Sequence, residues 1–131
     1  MMLADQTIDQ LLETALWQAG PDEDGTGEPY DWNYSVSDFE PDSRSDFIAQ
    51  FRAFVNANPV TIDAYMAHTA RGMDDVAHDY VLTRNGHGTG FWDRCYCGKD
   101  RCYAGDTLTT AVKAEGEFTV YSGDDGRLYI S

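Results

Sequence analysis

Apolar residues recur at helical intervals near the start of the chain. Ile8, Leu11, Leu12, Ala15 and Leu16 stand at i, i+3, i+4, i+7 and i+8, which is one face of a helix, and Thr7 with Gln10 has capping-box spacing at its start. Gly20-Pro21 ends it. The spacing predicts a second helix from Ser43, with Asp46 in its first turn and Phe47, Ile48, Phe51, Phe54 and Val55 on one side, closed by Asn58-Pro59. A short third helix follows from Thr61 to about Ala67, with Ile62, Tyr65 and Met66 inward.

The period then changes. Val76, His78, Tyr80 and Leu82 alternate with Ala77, Asp79, Val81 and Thr83, and Asn85-Gly86-His87-Gly88 accepts positive φ, so this stretch predicts a hairpin returning through residues 89–93. Leu108, Ala111 and Val112 mark a helix from about Asp106 that Gly116 ends. Glu117–Tyr121 and Arg127–Ile130, joined by Gly123-Asp124-Asp125-Gly126, make a second hairpin. The expected fold is α+β: N-terminal helices packed on a small antiparallel sheet of two hairpins with one inserted helix, in one domain over residues 1–131. With 42% hydrophobic and 13% aromatic residues, 131 positions suffice for a core that removes roughly two-thirds of the chain's surface from water.

Charge changes the picture. The chain carries 23 Asp plus Glu against 9 Lys plus Arg, a formal net charge of -14. Residues 1–46 hold 12 acids and one base, and residues 47–131 hold 11 acids and 8 bases. Such a balance disfavours direct nucleic-acid binding and points to a basic partner. No run reaches the ~18 apolar residues of a bilayer span, and the first residues lack a signal-peptide pattern, so the expected location is the cytoplasm and no membrane is expected as a partner. Three cysteines within eight positions, Cys95, Cys97 and Cys102, make a poor secreted disulfide framework.

The run from Asp79 to Arg94, Asp-Tyr-Val-Leu-Thr-Arg-Asn-Gly-His-Gly-Thr-Gly-Phe-Trp-Asp-Arg, resembles a string found in small acidic proteins of bacteriophages and related mobile elements. Glu13-Thr14-Ala15-Leu16-Trp17, Gly27-Glu28-Pro29 and Tyr34-Ser35-Val36-Ser37-Asp38 are similar to the opening of those proteins, and Gly123-Asp124-Asp125-Gly126 before Leu128-Tyr129 to their close. The resemblance implies a phage setting, with anti-CRISPR or anti-restriction action among the roles it allows, and supplies no mechanism. The cysteine-bearing loop, residues 94–105, departs from that pattern.

The leading candidate site is the acidic aromatic loop over residues 22–42. Duplex DNA carries one charge per about 1.7 Å of axis, and carboxylates can imitate that array. In an extended chain Asp38, Glu40 and Asp42 would project on one face about 6.6 Å apart, given a strand rise of ~3.3 Å per residue. Asp22, Glu23, Asp24, Glu28 and Asp31 extend the array, and Tyr30, Trp32 and Tyr34 supply apolar anchors of the kind that dominate protein interfaces. The bland alternative is a solvated loop that keeps the protein dispersed. The reading favoured on this basis is a non-enzymatic inhibitor of a host DNA-binding defence complex, with no cofactor.

A second candidate is the Arg84–Arg94 hairpin, where Arg84, His87 and Asp93 would bind a protein or ligand, the acidity then serving solubility alone. Catalysis by those three lacks an accompanying nucleophile or phosphate-binding motif, and the turn itself explains the glycines. Zinc held by Cys95, Cys97, Cys102 and His87 or His78 would use an unorthodox spacing, and free thiols beside Arg94, Lys99 and Arg101 are the simpler expectation. No metal is therefore expected.

Overall fold

A computed structural model of the chain describes residues 3–19, 29–86, 90–91 and 103–131. Helix α1 (Asp5–Gln18) buries Leu11, Leu12, Ala15 and Leu16 and lies along α5 (Met73–Asn85). Its start lies earlier than the capping-box spacing indicates. The Ala4 carbonyl accepts from the Thr7 and Ile8 amides, while the Thr7 hydroxyl, inside the helix, donates to Asp74 Oδ1 at 2.6 Å and fastens α1 to α5.

A one-turn α2 (Tyr30–Asn33) and a 3-10 turn (Val36–Asp38) lead to α3 (Pro41–Ala57). Glu40 caps α3 by accepting from the Ser43 amide at 2.8 Å, and Pro41 follows in the first turn, where its missing N–H costs nothing. Phe47, Ile48, Phe51, Phe54 and Val55 are buried, as their spacing predicts. After Asn58, α4 (Pro59–Thr69) turns Ile62 and Tyr65 inward. Then come α5, α6 (Ala104–Lys113) and the strands β1 (Val120–Ser122) and β2 (Leu128–Ile130).

The strands pair antiparallel with Val120 opposite Ile130 and Tyr121 opposite Tyr129. Their turn is held by the Gly126 amide on the Gly123 carbonyl and by Tyr129 Oη on Asp125 Oδ2 at 2.6 Å, a bond that lowers the Asp125 pKa and raises that of Tyr129. Phe39 makes a parallel bridge to Leu128, and the Glu40 amide donates to the Leu128 carbonyl at 2.7 Å, so β2 is joined to the entry of α3. The core is a cluster of rings. Tyr80 lies 5.0 Å from both Phe51 and Phe54, and Phe91 lies 5.9 Å from Phe54 and 5.1 Å from Tyr65.

The fold is α+β, with one correction. Residues 76–83, whose alternation predicts the first arm of a hairpin, lie within helix α5, and the described sheet has the second hairpin alone. The physical reason is burial on nearly every side. Val76, Ala77, Asp79, Tyr80, Val81, Leu82, Thr83 and Arg84 are all buried, because α1, α4 and α6 pack around this helix. A helix enclosed in that way has no polar face to set a 3.6-residue period. Gly86 does take positive φ (66°), but as the left-handed residue that ends α5. No helix among the described residues is long and apolar enough to cross a membrane.

Candidate functional site

The end of α5 is a polar latch inside the core. Arg84 is 7% exposed; its Nε donates to the Gly116 carbonyl at 2.8 Å and one terminal nitrogen donates to Gln50 Oε1 at 2.7 Å. The guanidinium also stands over the rings of Phe47, Tyr80 and Phe118 at 5.2–5.9 Å. Asn85 donates to Gln18 Oε1 and the Phe118 carbonyl and accepts from the Phe118 amide at 2.9 Å. Thr83 Oγ1 accepts from the Phe91 amide. Thr83, Arg84 and Asn85 thus fasten the helix end to the segments on either side.

This arrangement corrects the place of Arg84 in the hairpin site. Arg84 pairs with a carbonyl, an amide and three rings instead of standing beside a turn, so it is not available to a ligand at the surface. His87 and Asp93 lie outside the described residues, as do the cysteines Cys95, Cys97 and Cys102. No group of three His, Cys, Asp or Glu that could hold a metal occurs among the described residues.

Beside the latch, Tyr80 Oη donates to Glu115 Oε1 at 2.8 Å. Burial first, and then the Glu115 charge, push the Tyr80 phenol well above its ordinary 10.0; burial of its carboxylate end likewise raises Glu115. The folded protein therefore keeps a phenolic proton that the unfolded chain releases above pH 10.0. Stability is expected to fall there by up to about 1.4 kcal/mol per pH unit. In an alkaline titration followed by tyrosinate absorbance, the increment from Tyr80 should coincide with loss of the helical circular dichroism. Complete ionisation of every tyrosine in the folded protein would contradict this placement.

The acidic loop divides. Asp22, Glu23, Asp24 and Glu28 lie outside the described residues. Asp31 and Asp42 are exposed. Asp38 accepts from the Ser35 amide at 2.7 Å and Glu40 caps α3, so both carboxylates are occupied by backbone N–H groups. The extended register over Asp38, Glu40 and Asp42 does not form, because the 3-10 turn and α3 interrupt it. Of the three aromatic anchors, Tyr30 is buried in the core and Tyr34 packs beside it, 5.8 Å from its ring. Trp32 alone of the three is freely exposed, at 71%.

A different acidic line takes shape on α1. Asp5, Asp9, Glu13 and Trp17 follow one another at four-residue steps, and all four are exposed. Each step advances about 6 Å and turns the direction by about 40°, so they form one gently winding stripe that ends on a ring. Trp17 is 62% exposed and separates two grooves. Gln10, Glu13, Thr14 and His78 line one, and Asp31, Val36 and Ser37 face it across the other. The signal is present in the sequence as the complement of the apolar face of α1. No protein family, curated protein or solved structure matches this chain.

Proposed function

We propose that this is a phage-type, non-enzymatic inhibitor that occupies the basic DNA-binding surface of a host defence protein, of the anti-CRISPR or anti-restriction kind, in the bacterial cytoplasm. The observation that carries the reading is the exposed stripe of Asp5, Asp9 and Glu13 ending on Trp17. Carboxylates about 6 Å apart on a rigid helix offer a charge array without the entropy cost of ordering a loop. Trp17 and Trp32 add ring surface, which carries more affinity than exposed charge does. The net charge of -14 would speed encounter with a basic channel.

The test is capture from a bacterial lysate on the immobilised protein. Nucleic-acid-binding proteins should be retained at low salt, released by duplex DNA, and lost as salt shortens the Debye length from about 10 Å at 0.1 M to 3 Å at 1 M. Changing Asp5 and Asp9 to Asn and Glu13 to Gln together should weaken capture at least tenfold. The same change in net charge at exposed Asp63, Glu117 and Asp124 should weaken it much less, with circular dichroism confirming the fold of both variants. Equal losses from the two triple variants, or capture indifferent to DNA, would refute the mimicry.

A further inference from the structure

We propose that the groove between α1 and residues 31–37 is a recognition pocket for an arginine side chain of a basic protein partner. The proposal rests on the acidic-face reading for the sign of the partner's charge and adds which side chain is recognised. The groove measures about 510 Å³ and is lined by Glu13, Leu16, Trp17, Asp31, Val36 and Ser37. Its chemistry is divided by position. Leu16, 5% exposed, and Val36, which packs against the core, give an apolar floor. Glu13 with Trp17 on α1, and Asp31 with Ser37 opposite, give polar walls and one aromatic wall.

Each element of that lining selects. Glu13 and Asp31 both line the groove and form no ion pair among the described residues. They call for a cation. The exposed Trp17 ring favours a flat, weakly hydrated cation that can lie on its face, and a planar guanidinium also meets carboxylates through two parallel N–H bonds. The apolar floor suits the methylene stem that carries such a group. Lysine fits less well, since its ammonium is a strongly hydrated point charge that gains less on a ring. A hard divalent ion favours a cluster of carboxylates, and no group of three or more His, Cys, Asp or Glu that could hold a metal occurs among the described residues.

The probe is a fluorescent peptide of alternating arginine and glycine, compared by anisotropy with its lysine counterpart of equal charge and with its uncharged citrulline counterpart. The arginine peptide should bind at least fivefold more tightly than the lysine peptide, and the citrulline peptide should show no binding. Trp17→Leu, which preserves charge and lies on an exposed helix position, should erase the preference for arginine. Asp31→Asn should weaken the arginine peptide at least threefold, and Asp63→Asn should not. Equal affinity for arginine and lysine peptides, or a preference retained in Trp17→Leu, would overturn the pocket. Its failure is distinguishable from that of DNA mimicry. An arginine preference without DNA-sensitive capture keeps the pocket and removes the mimicry, whereas DNA-sensitive capture with no arginine preference does the reverse.

Discussion

Replacing Arg84 by alanine is expected to lower the free energy of unfolding by about 3 kcal/mol, from the loss of charge-assisted hydrogen bonds together with the cavity left among the rings. Three losses combine. The Gly116 carbonyl and the Gln50 side chain lose their donor, the rings of Phe47, Tyr80 and Phe118 lose a cation, and a cavity opens beneath them. Urea denaturation followed by circular dichroism measures the change. Arg52→Ala, on the exposed side of α3, should stay within about 0.5 kcal/mol of the parent. A loss below about 1 kcal/mol at Arg84 would mean that the guanidinium is not held as described.

Asn85→Ala should cost about 3 kcal/mol, because one side chain satisfies both the amide and the carbonyl of Phe118 and also holds Gln18 on α1. Aspartate at this position keeps the acceptor and loses the donor, so it should recover only part of the stability. Arg84 and Asn85 grip the same segment, Gly116 and Phe118, so the double alanine variant should lose less than the sum of the single losses. Strict additivity in the same urea experiment would show the two grips to be independent.

These residues also show what the sequence can and cannot convey. Helices α1, α3, α4 and α6 each present an apolar side to the core, and the spacing of those apolar residues marks all four in the sequence alone. The C-terminal hairpin is equally plain from Gly123 to Gly126 between two apolar runs. Helix α5 is not, because its surroundings bury it almost completely and erase the period. Its ends are nonetheless marked, by Asp74 and Asp75 in the first turn, by Arg84 in the last and by Gly86 beyond it. Alternation among eight residues masks those terminal signals. The acidic site is legible as composition but not as geometry. Asp38 and Glu40 stand where backbone N–H groups begin a helical turn, so local hydrogen bonding consumes their carboxylates, whereas Asp5, Asp9 and Glu13 project from the exposed side of α1.

The bridge between Phe39 and Leu128 bears on how the molecule assembles. Strand β2 joins a segment from the first third of the chain, so closing that contact brings together residues 39 and 128 across all the helices between them. Helical proteins as a class fold quickly because their contacts are local, and this junction departs from that habit. The entry of α3, with the Glu40 cap, gains its backbone partner only once residue 128 has been synthesised. During synthesis, therefore, the helices emerge and can pack on one another before this junction exists, and the hairpin of β1 and β2 adds it afterwards.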